Sequence, residues 1–348
     1  MQKIDKEVDL KGSSKNVLTA RRDGTTERLN AIVHGFHISK LIDWPFKFSW
    51  VKDIGAITNP MLLMENSLPS FFKKDFVEKH FIEFDEFIGK YKLDGVGSPM
   101  CEYVSGTEFR KIPNSVDLKD VVNVIPASGL DNVKDLPPPT TVESVISDCY
   151  FEYMKEHKNS LSETVAIHYR GGDVIYGINR HGVHAVGNKA VPLRLVEDLI
   201  SCNKNTKFLI FGTPLGETLS DMKFLEDKYP NASLASGYST KELDHIIQDC
   251  FLMAACKEVV SMSGTGVTRF ASLISPSLKK RFFNRIYEGE KLFSLLMEGA
   301  KCDDYNSKSR AYHAVRALHI KPENEKVLLP LIKSLDSENR LDWLKNNI

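Results

Sequence analysis

The chain has 348 residues, 42% of them hydrophobic and 26% charged, a globular composition too long for one ordinary core and unlike long disorder. Basic and acidic residues number 46 each, so no net field draws the whole chain to nucleic acid, and none is expected as a partner. The absence of a signal core, of a membrane-length apolar window and of zinc- or disulfide-type spacing among six cysteines points to a soluble protein of a reducing, cytoplasmic compartment.

Asn16–Ala20 reads as a strand running into the loop Arg21-Arg22-Asp23-Gly24-Thr25-Thr26-Glu27. A helix follows from near Arg28, with Leu29, Ile32, Val33, Phe36 and Leu41 as its apolar face and Ile38 at the margin. Asp43-Trp44-Pro45 ends it, and Phe46–Val51 alternates as a strand, so the opening is a βαβ unit. Between 52 and 135 only helical patches at 74–90 and a few weak strands, such as Val121–Ile125, stand out. Leu136-Pro137-Pro138-Pro139-Thr140 is the candidate linker, because consecutive prolines continue neither helix nor central strand.

Beyond it, helices are expected at 141–157, 193–202, 219–229, 240–255 (with Ser239 or Thr240 as N-cap) and 267–274. Strands alternate with them at 165–167, 207–213, 231–235 and 258–262, the pattern of a doubly wound, mostly parallel sheet. Helices at 309–318 and 325–335 resemble one tetratricopeptide-like hairpin, which cannot build its own core and must pack on the preceding domain or on a partner. The domain reading is therefore 1–136, 141–290 and a helical tail at 291–348.

Two strand ends carry the chemistry. Residues 165–173 read Val-Ala-Ile-His-Tyr-Arg-Gly-Gly-Asp: an apolar run breaks into His168, Arg170 and Asp173 around Gly171 and Gly172. Arg170 offers a fork of donors suited to phosphate, and the glycines allow close approach to the backbone. The competing reading is a tight turn in which His168 and Asp173 bond each other. The second end, Ser261-Met262-Ser263-Gly264-Thr265-Gly266, precedes a helix whose first N–H groups and partial positive charge suit an anion. Alone it equally describes an ordinary capped βα turn. Together in one sheet, the two ends suggest a nucleotide diphosphate held between them.

His168-x-Arg170-x-x-Asp173, followed by Asp249-x-x-x-Met253-x-x-Cys256 and Ser261-x-Ser263, resembles the motif pair of the GDP-fucose-dependent fucosyltransferase superfamily. The Arg-Asp-Gly-Thr-Thr-Glu-Arg-Leu-Asn-Ala segment at 22–31 resembles the Gly-rich loop and helix that open these enzymes and related bacterial polysaccharide glycosyltransferases. The chain departs from many relatives in having Gly171 for a second arginine, and Thr25-Thr26-Glu27 where Leu-Gly-Asn is frequent.

The resemblance implies an α/β, GT-B-like fold of two Rossmann-like domains facing a cleft. It implies an inverting, metal-independent transfer of a sugar, fucose from GDP-fucose foremost, to a glycan acceptor in surface polysaccharide or lipopolysaccharide synthesis. Arg170 would take the β-phosphate, with Ser263, Gly264 and Thr265 on the same diphosphate and His168, Gly171, Gly172, Ser261 and Gly24 completing the donor site. Asp173, His181, His184 and Asp23 are the candidates for the base that deprotonates the acceptor, Asp173 being equally suited to bonding turn amides. Arg180 and Lys189 suit an acidic acceptor or the diphosphate, or simply solvent. A lipid-linked acceptor would bring the protein to the inner face of a membrane, and the helical tail is a candidate protein contact. The rival readings are a transferase of another nucleotide sugar and a non-catalytic nucleotide- or sugar-binding scaffold. Trp44 and Trp50 are read as packing residues.

Overall fold

The computed structural model describes residues 16–20, 25–50, 68–86, 102–105, 121–125, 137–171, 189–213, 216–235 and 244–336. β1 (Asn16–Ala20), α1 (Thr25–Ile42) and β2 (Phe46–Ser49) form the expected parallel crossover, with Val17 opposite Phe46. Asp43, with φ 55°, reverses the chain between α1 and β2, a conformation aspartate tolerates better than most side chains. After α2 (Lys74–His80), β3 (Glu102–Ser105) and β4 (Val121–Ile125) complete a parallel sheet ordered β2-β1-β4-β3. Phe36, Phe46, Phe48, Phe72 and Phe76 pack together beside it, Phe36 meeting Phe76 edge-on at 5.1 Å between ring centroids.

Two helices follow, α3 (Pro139–Val145) and α4 (Asp148–Leu161). The second sheet comprises β5 (Val165–His168), β6 (Phe208–Phe211), β7 (Ala232–Leu234), β8 (Glu258–Ser261) and β9 (Lys279–Phe282). Their connecting helices are α5 (Leu193–Cys202), α6 (Gly216–Lys228), α7 (Asp244–Ala255) and α8 (Gly266–Ile274). All its pairings are parallel in the order β7-β6-β5-β8-β9, the doubly wound arrangement expected for 160–275. Strand alternation divides the core: Val165 and Ile167 pack with α5 and α6, whereas Ala166 joins α4, α7 and α8. That second cluster continues into Val17 and Phe48 of the first sheet and Leu29 of α1, so the two halves share apolar packing.

Several expectations are corrected. The triproline segment does not end as a linker. Pro139 occupies the first turn of α3, where its missing N–H would be unpaired anyway, and Val142 and Val145 are fully buried. The helix expected over 141–157 breaks at Ile146, which bridges Phe72 in antiparallel fashion. On α1, Leu29, Ile32, Val33 and Phe36 are buried as expected, but Leu41 is exposed and Ile38, expected at the margin, is buried. This helix is enclosed nearly all round because the sheet covers one side and α3 and α8 the other, so its periodicity says little about its packing. The cluster Lys279-Lys280-Arg281 forms edge strand β9, where charge discourages pairing with another chain. By contrast, the reading of Cys250 and Cys256 as core residues beside an apolar helical run holds, for both are buried free thiols.

The tail comprises a single turn α9 (Phe283–Ile286), then α10 (Gly289–Lys301), α11 (Ser307–Ile320) and α12 (Glu325–Leu335). Leu296, Ala300, Ala311, Val315, Leu328 and Ile332 form its apolar cluster, which also takes in Ala190. His313, completely buried, donates from Nδ1 to the Ser309 carbonyl at 2.6 Å and accepts the Arg194 N–H at Nε2 at 3.0 Å. It is thus a neutral bridge from α11 to α5, held near a pKa of about 4 chiefly by burial. Among the described residues no helix is long and apolar enough to cross a membrane.

Gly299 lies against that imidazole, and a Cβ there would meet His313 Cδ2 at 2.2 Å. Gly299→Ala is therefore expected to destabilise the protein by about 1–3 kcal/mol in urea unfolding. Unchanged stability would contradict the packing described.

Candidate active site

The chain builds the second sheet outward from β5, first to β6 and β7, then back across to β8 and β9. Crossovers therefore diverge to opposite faces between β5 and β8, leaving a crevice outside the C-terminal ends of those two strands. Ile167 pairs with Val260, so His168, Tyr169 and Arg170 emerge beside Ser261, Met262 and Ser263. These are the two polar strand ends singled out in the sequence.

Each end is shaped by local bonding. Ser261 Oγ donates to the Ser263 carbonyl at 2.9 Å, tightening the turn. Thr265 caps α8 reciprocally: the Thr268 N–H donates to Thr265 Oγ1 at 3.3 Å, and the Thr265 N–H to Thr268 Oγ1 at 3.0 Å. Thr265 Oγ1 also lies 3.3 Å from His168 Nδ1, which ties the end of β5 to the start of α8. Burial, reinforced by the Arg170 charge, holds the His168 pKa down at about 3. A ring this buried and this weakly basic is a neutral bracket, not a base for chemistry near neutral pH. Ser263, Gly264 and Arg170 retain partial exposure, whereas Ser261, Thr265 and Gly171 are buried. The Arg170 backbone is fixed on both sides, by Tyr169 N–H to the Phe211 carbonyl at 2.7 Å and Val191 N–H to the Arg170 carbonyl at 2.9 Å.

The first sheet reaches the same place through α1. Asn30 Nδ2 donates both to the Thr26 carbonyl at 2.7 Å and to the Gly266 carbonyl at 2.9 Å. Glu27 pairs with Arg269. A Cβ on Gly266 would meet Thr26 Oγ1 at 2.7 Å and the Glu27 carboxylate at 2.9 Å, so the start of α1 abuts the start of α8. Two helix N-termini, each carrying a partial positive charge, thus converge beside Ser263–Thr265. Glu27 and Asn30 lie in the opening segment read from the sequence, but their partners Arg269 and Gly266 were not foreseen, and only the contact across the two sheets reveals their part.

Of the sequence candidates, His168, Arg170, Gly171, Ser261, Ser263, Gly264 and Thr265 meet at these adjoining strand ends. Gly24, Asp23, Gly172, Asp173, Arg180, His181 and His184 lie outside the described residues. Met253 and Cys256 of the second motif are core residues, burial pushing the Cys256 thiol up to about 12. Asp249, largely enclosed on α7, has its carboxyl pushed up to about 8 by burial. Among the described residues no group of three or more His, Cys, Asp or Glu side chains is placed to hold a metal ion.

No protein-family model and no curated protein matches this chain. Among solved structures, it is similar to the fucosyltransferase NodZ from Bradyrhizobium at 11% identity, covering 76% of this chain and 95% of that one with a TM-score of 0.46. Against NodZ α-1,6-fucosyltransferase soaked with GDP-fucose the values are 13% identity, 76% and 93% coverage and 0.45. Against POFUT1 in complex with GDP they are 10%, 78% and 99%, and 0.42.

The enclosed acid on α7 sets a pH dependence of stability. Between the unfolded carboxyl pKa of 3.8 and the native value of about 8, native Asp249 holds a proton that the unfolded chain has lost. Stability therefore falls as pH rises through that window. The buried His34, His168 and His313, lowered to about 4, 3 and 4, act oppositely, but only below their unfolded value of 6.5, and Asp221, raised to about 7, adds to the fall only up to that pH. Asp249→Asn should thus flatten the fall in unfolding free energy between about pH 6.5 and pH 8, where one proton is worth about 1.4 kcal/mol per pH unit. An identical slope in the variant would contradict the enclosed carboxyl.

Proposed function

We propose that the protein is an inverting glycosyltransferase whose donor diphosphate lies between Arg170 and the Ser263–Thr265 turn. The observation that carries the reading is the meeting of these two polar strand ends at the switch point of a doubly wound sheet, above the capped start of α8. The chemistry suits sugar transfer. Its transition state separates an oxocarbenium-like sugar from a departing phosphate, and a fixed guanidinium with oriented N–H groups stabilises the developing negative charge.

In this reading residues 1–136 form the acceptor-side domain, 141–290 the nucleotide-sugar domain and 291–348 the appended tail, with the cleft where α1 meets α8. GDP-fucose is the donor proposed, from the motif resemblance, and a glycan of surface polysaccharide or lipopolysaccharide the acceptor. Lipid linkage of that acceptor would draw a cytoplasmic enzyme to the inner membrane face. Inversion requires a base on the acceptor side, and Asp173, His181, His184 and Asp23 remain the candidates. His168 is not among them, because its proton affinity is too low. No step in this scheme is assigned to a metal.

A thermal-shift panel of GDP, UDP, CMP and ADP, combined with release of GDP from GDP-fucose, tests the assignment. Selective stabilisation by GDP and turnover that falls about 100-fold in a folded Arg170→Ala variant are expected. Stabilisation by UDP instead would identify another donor class. No response to any nucleotide, or an unimpaired Arg170→Ala, would contradict the transferase reading.

A further inference from the structure

Tyr169, between His168 and Arg170, points to the opposite face of the sheet from His168 and is 2% exposed. Its hydroxyl donates to Asp221 Oδ2 on α6 at 2.6 Å. Asn306 Nδ2 donates to the other oxygen of that carboxylate at 2.9 Å, and Ser309 Oγ to Oδ2 at 3.5 Å. Asn306 is itself fixed, because its Oδ1 caps α11 by accepting the Ser309 N–H at 2.8 Å. Lys308 and Glu217 add an ion pair between α11 and α6 at 2.5 Å. A chain of bonds therefore runs from the first turn of α11, within the helical tail, to the residue preceding Arg170.

We infer that Asp221 is a positioning residue for Arg170, acting through Tyr169, and that Asn306 and Ser309 make the helical tail part of the active site's support. The inference rests on the transferase reading above. A buried carboxylate is expensive to keep, and an apolar side chain would fill the same space between α6 and α11 at lower cost. What the carboxylate supplies is direction: three donors from two elements converge on it and hold the phenol in one pose. The glycine at 212 serves the same end, since a Cβ there would meet the Tyr169 carbonyl at 2.7 Å. With the Arg170 backbone already bonded on both sides, the tyrosine anchor removes the remaining freedom of the strand to roll. A guanidinium that must meet charge only as it develops gains most from such fixing.

The support is also sensitive to pH. Burial raises the Asp221 carboxyl to about 7, the bonds from Tyr169, Ser309 and Asn306 opposing it and the charge of Glu217 adding to it. Lys308 partly offsets Glu217. The ionised carboxylate accepts all three donors, whereas the protonated acid cannot serve all of them as acceptor. Turnover is therefore expected to decline as pH falls through about 7, by loss of positioning.

The test uses the full chain, with GDP binding and GDP release from GDP-fucose as readouts, on wild type and on Tyr169→Phe, Asp221→Asn and Asn306→Ser. Asn306→Ser keeps a helix cap while losing the bond to Asp221, and Tyr169→Phe removes a single oxygen. Each variant is expected to fold, as judged by circular dichroism, and to lose ~10- to 100-fold in kcat, with GDP affinity changed far less. The part of the acid limb that titrates near 7 through Asp221 should be absent in Asp221→Asn, whereas a limb set by the acceptor-side base would persist. Variants with wild-type kcat and an unchanged pH profile would overturn the inference alone. A wild type that neither binds GDP nor releases it from GDP-fucose would overturn the transferase reading and this inference with it.

Discussion

The organising constraint is the contact between the first turns of α1 and α8. Gly266 has no Cβ because Thr26 and Glu27 occupy that space, and Asn30 spans the joint by bonding main chain on both sides of it. Each helix leaves the C-terminal end of a strand, α1 from β1 and α8 from β8. Fixing the two starts together therefore brings the C-terminal edges of two parallel sheets to one place. An open sheet of this kind gathers its unpaired polar groups at that edge, so the junction concentrates donors and partial positive charge.

Around this joint the polar groups divide into buried ones that brace and others that keep partial exposure. His168, Ser261 and Thr265 spend their polar atoms on one another or on adjacent main chain. Arg170, Ser263 and Gly264 stay partly exposed just beyond them. The separation has a physical rationale. Groups that meet a reacting charge must be held by neighbours that do not move, and a buried neutral imidazole is a suitable brace because it needs no counter-ion. On the opposite face, the bonds from Tyr169 to Asp221 and on to Asn306 brace the same strand end from the helical tail.

The sequence was most legible where one element determines its own pattern. β5, β6 and β8 are apolar runs ending in polar or glycine residues, so both their existence and their ends can be read directly. It was least legible where the neighbours decide. β9 is Lys-Lys-Arg-Phe, an edge strand with more charge than β pattern, and α10 opens on Gly-Glu-Lys. Pro139 marked a boundary but started a helix, because a proline at a first turn and a proline in a linker look alike without the partner that packs against them. At the site, the motif residues were visible, whereas their supports were not. Asn30 and Gly266 are 236 residues apart and Tyr169 and Asp221 are 52 apart, distances over which spacing carries no signal.

A crystal structure of the protein with GDP shows most directly whether the two strand ends hold a diphosphate. The β-phosphate is expected within hydrogen-bonding distance of the Arg170 guanidinium and of the main-chain N–H groups of Ser263 and Gly264, the Thr265 N–H being held by Thr268 Oγ1, with α1 and α8 still joined through Asn30. A nucleotide bound elsewhere, or an Arg170 directed away from it, would rule out this donor site.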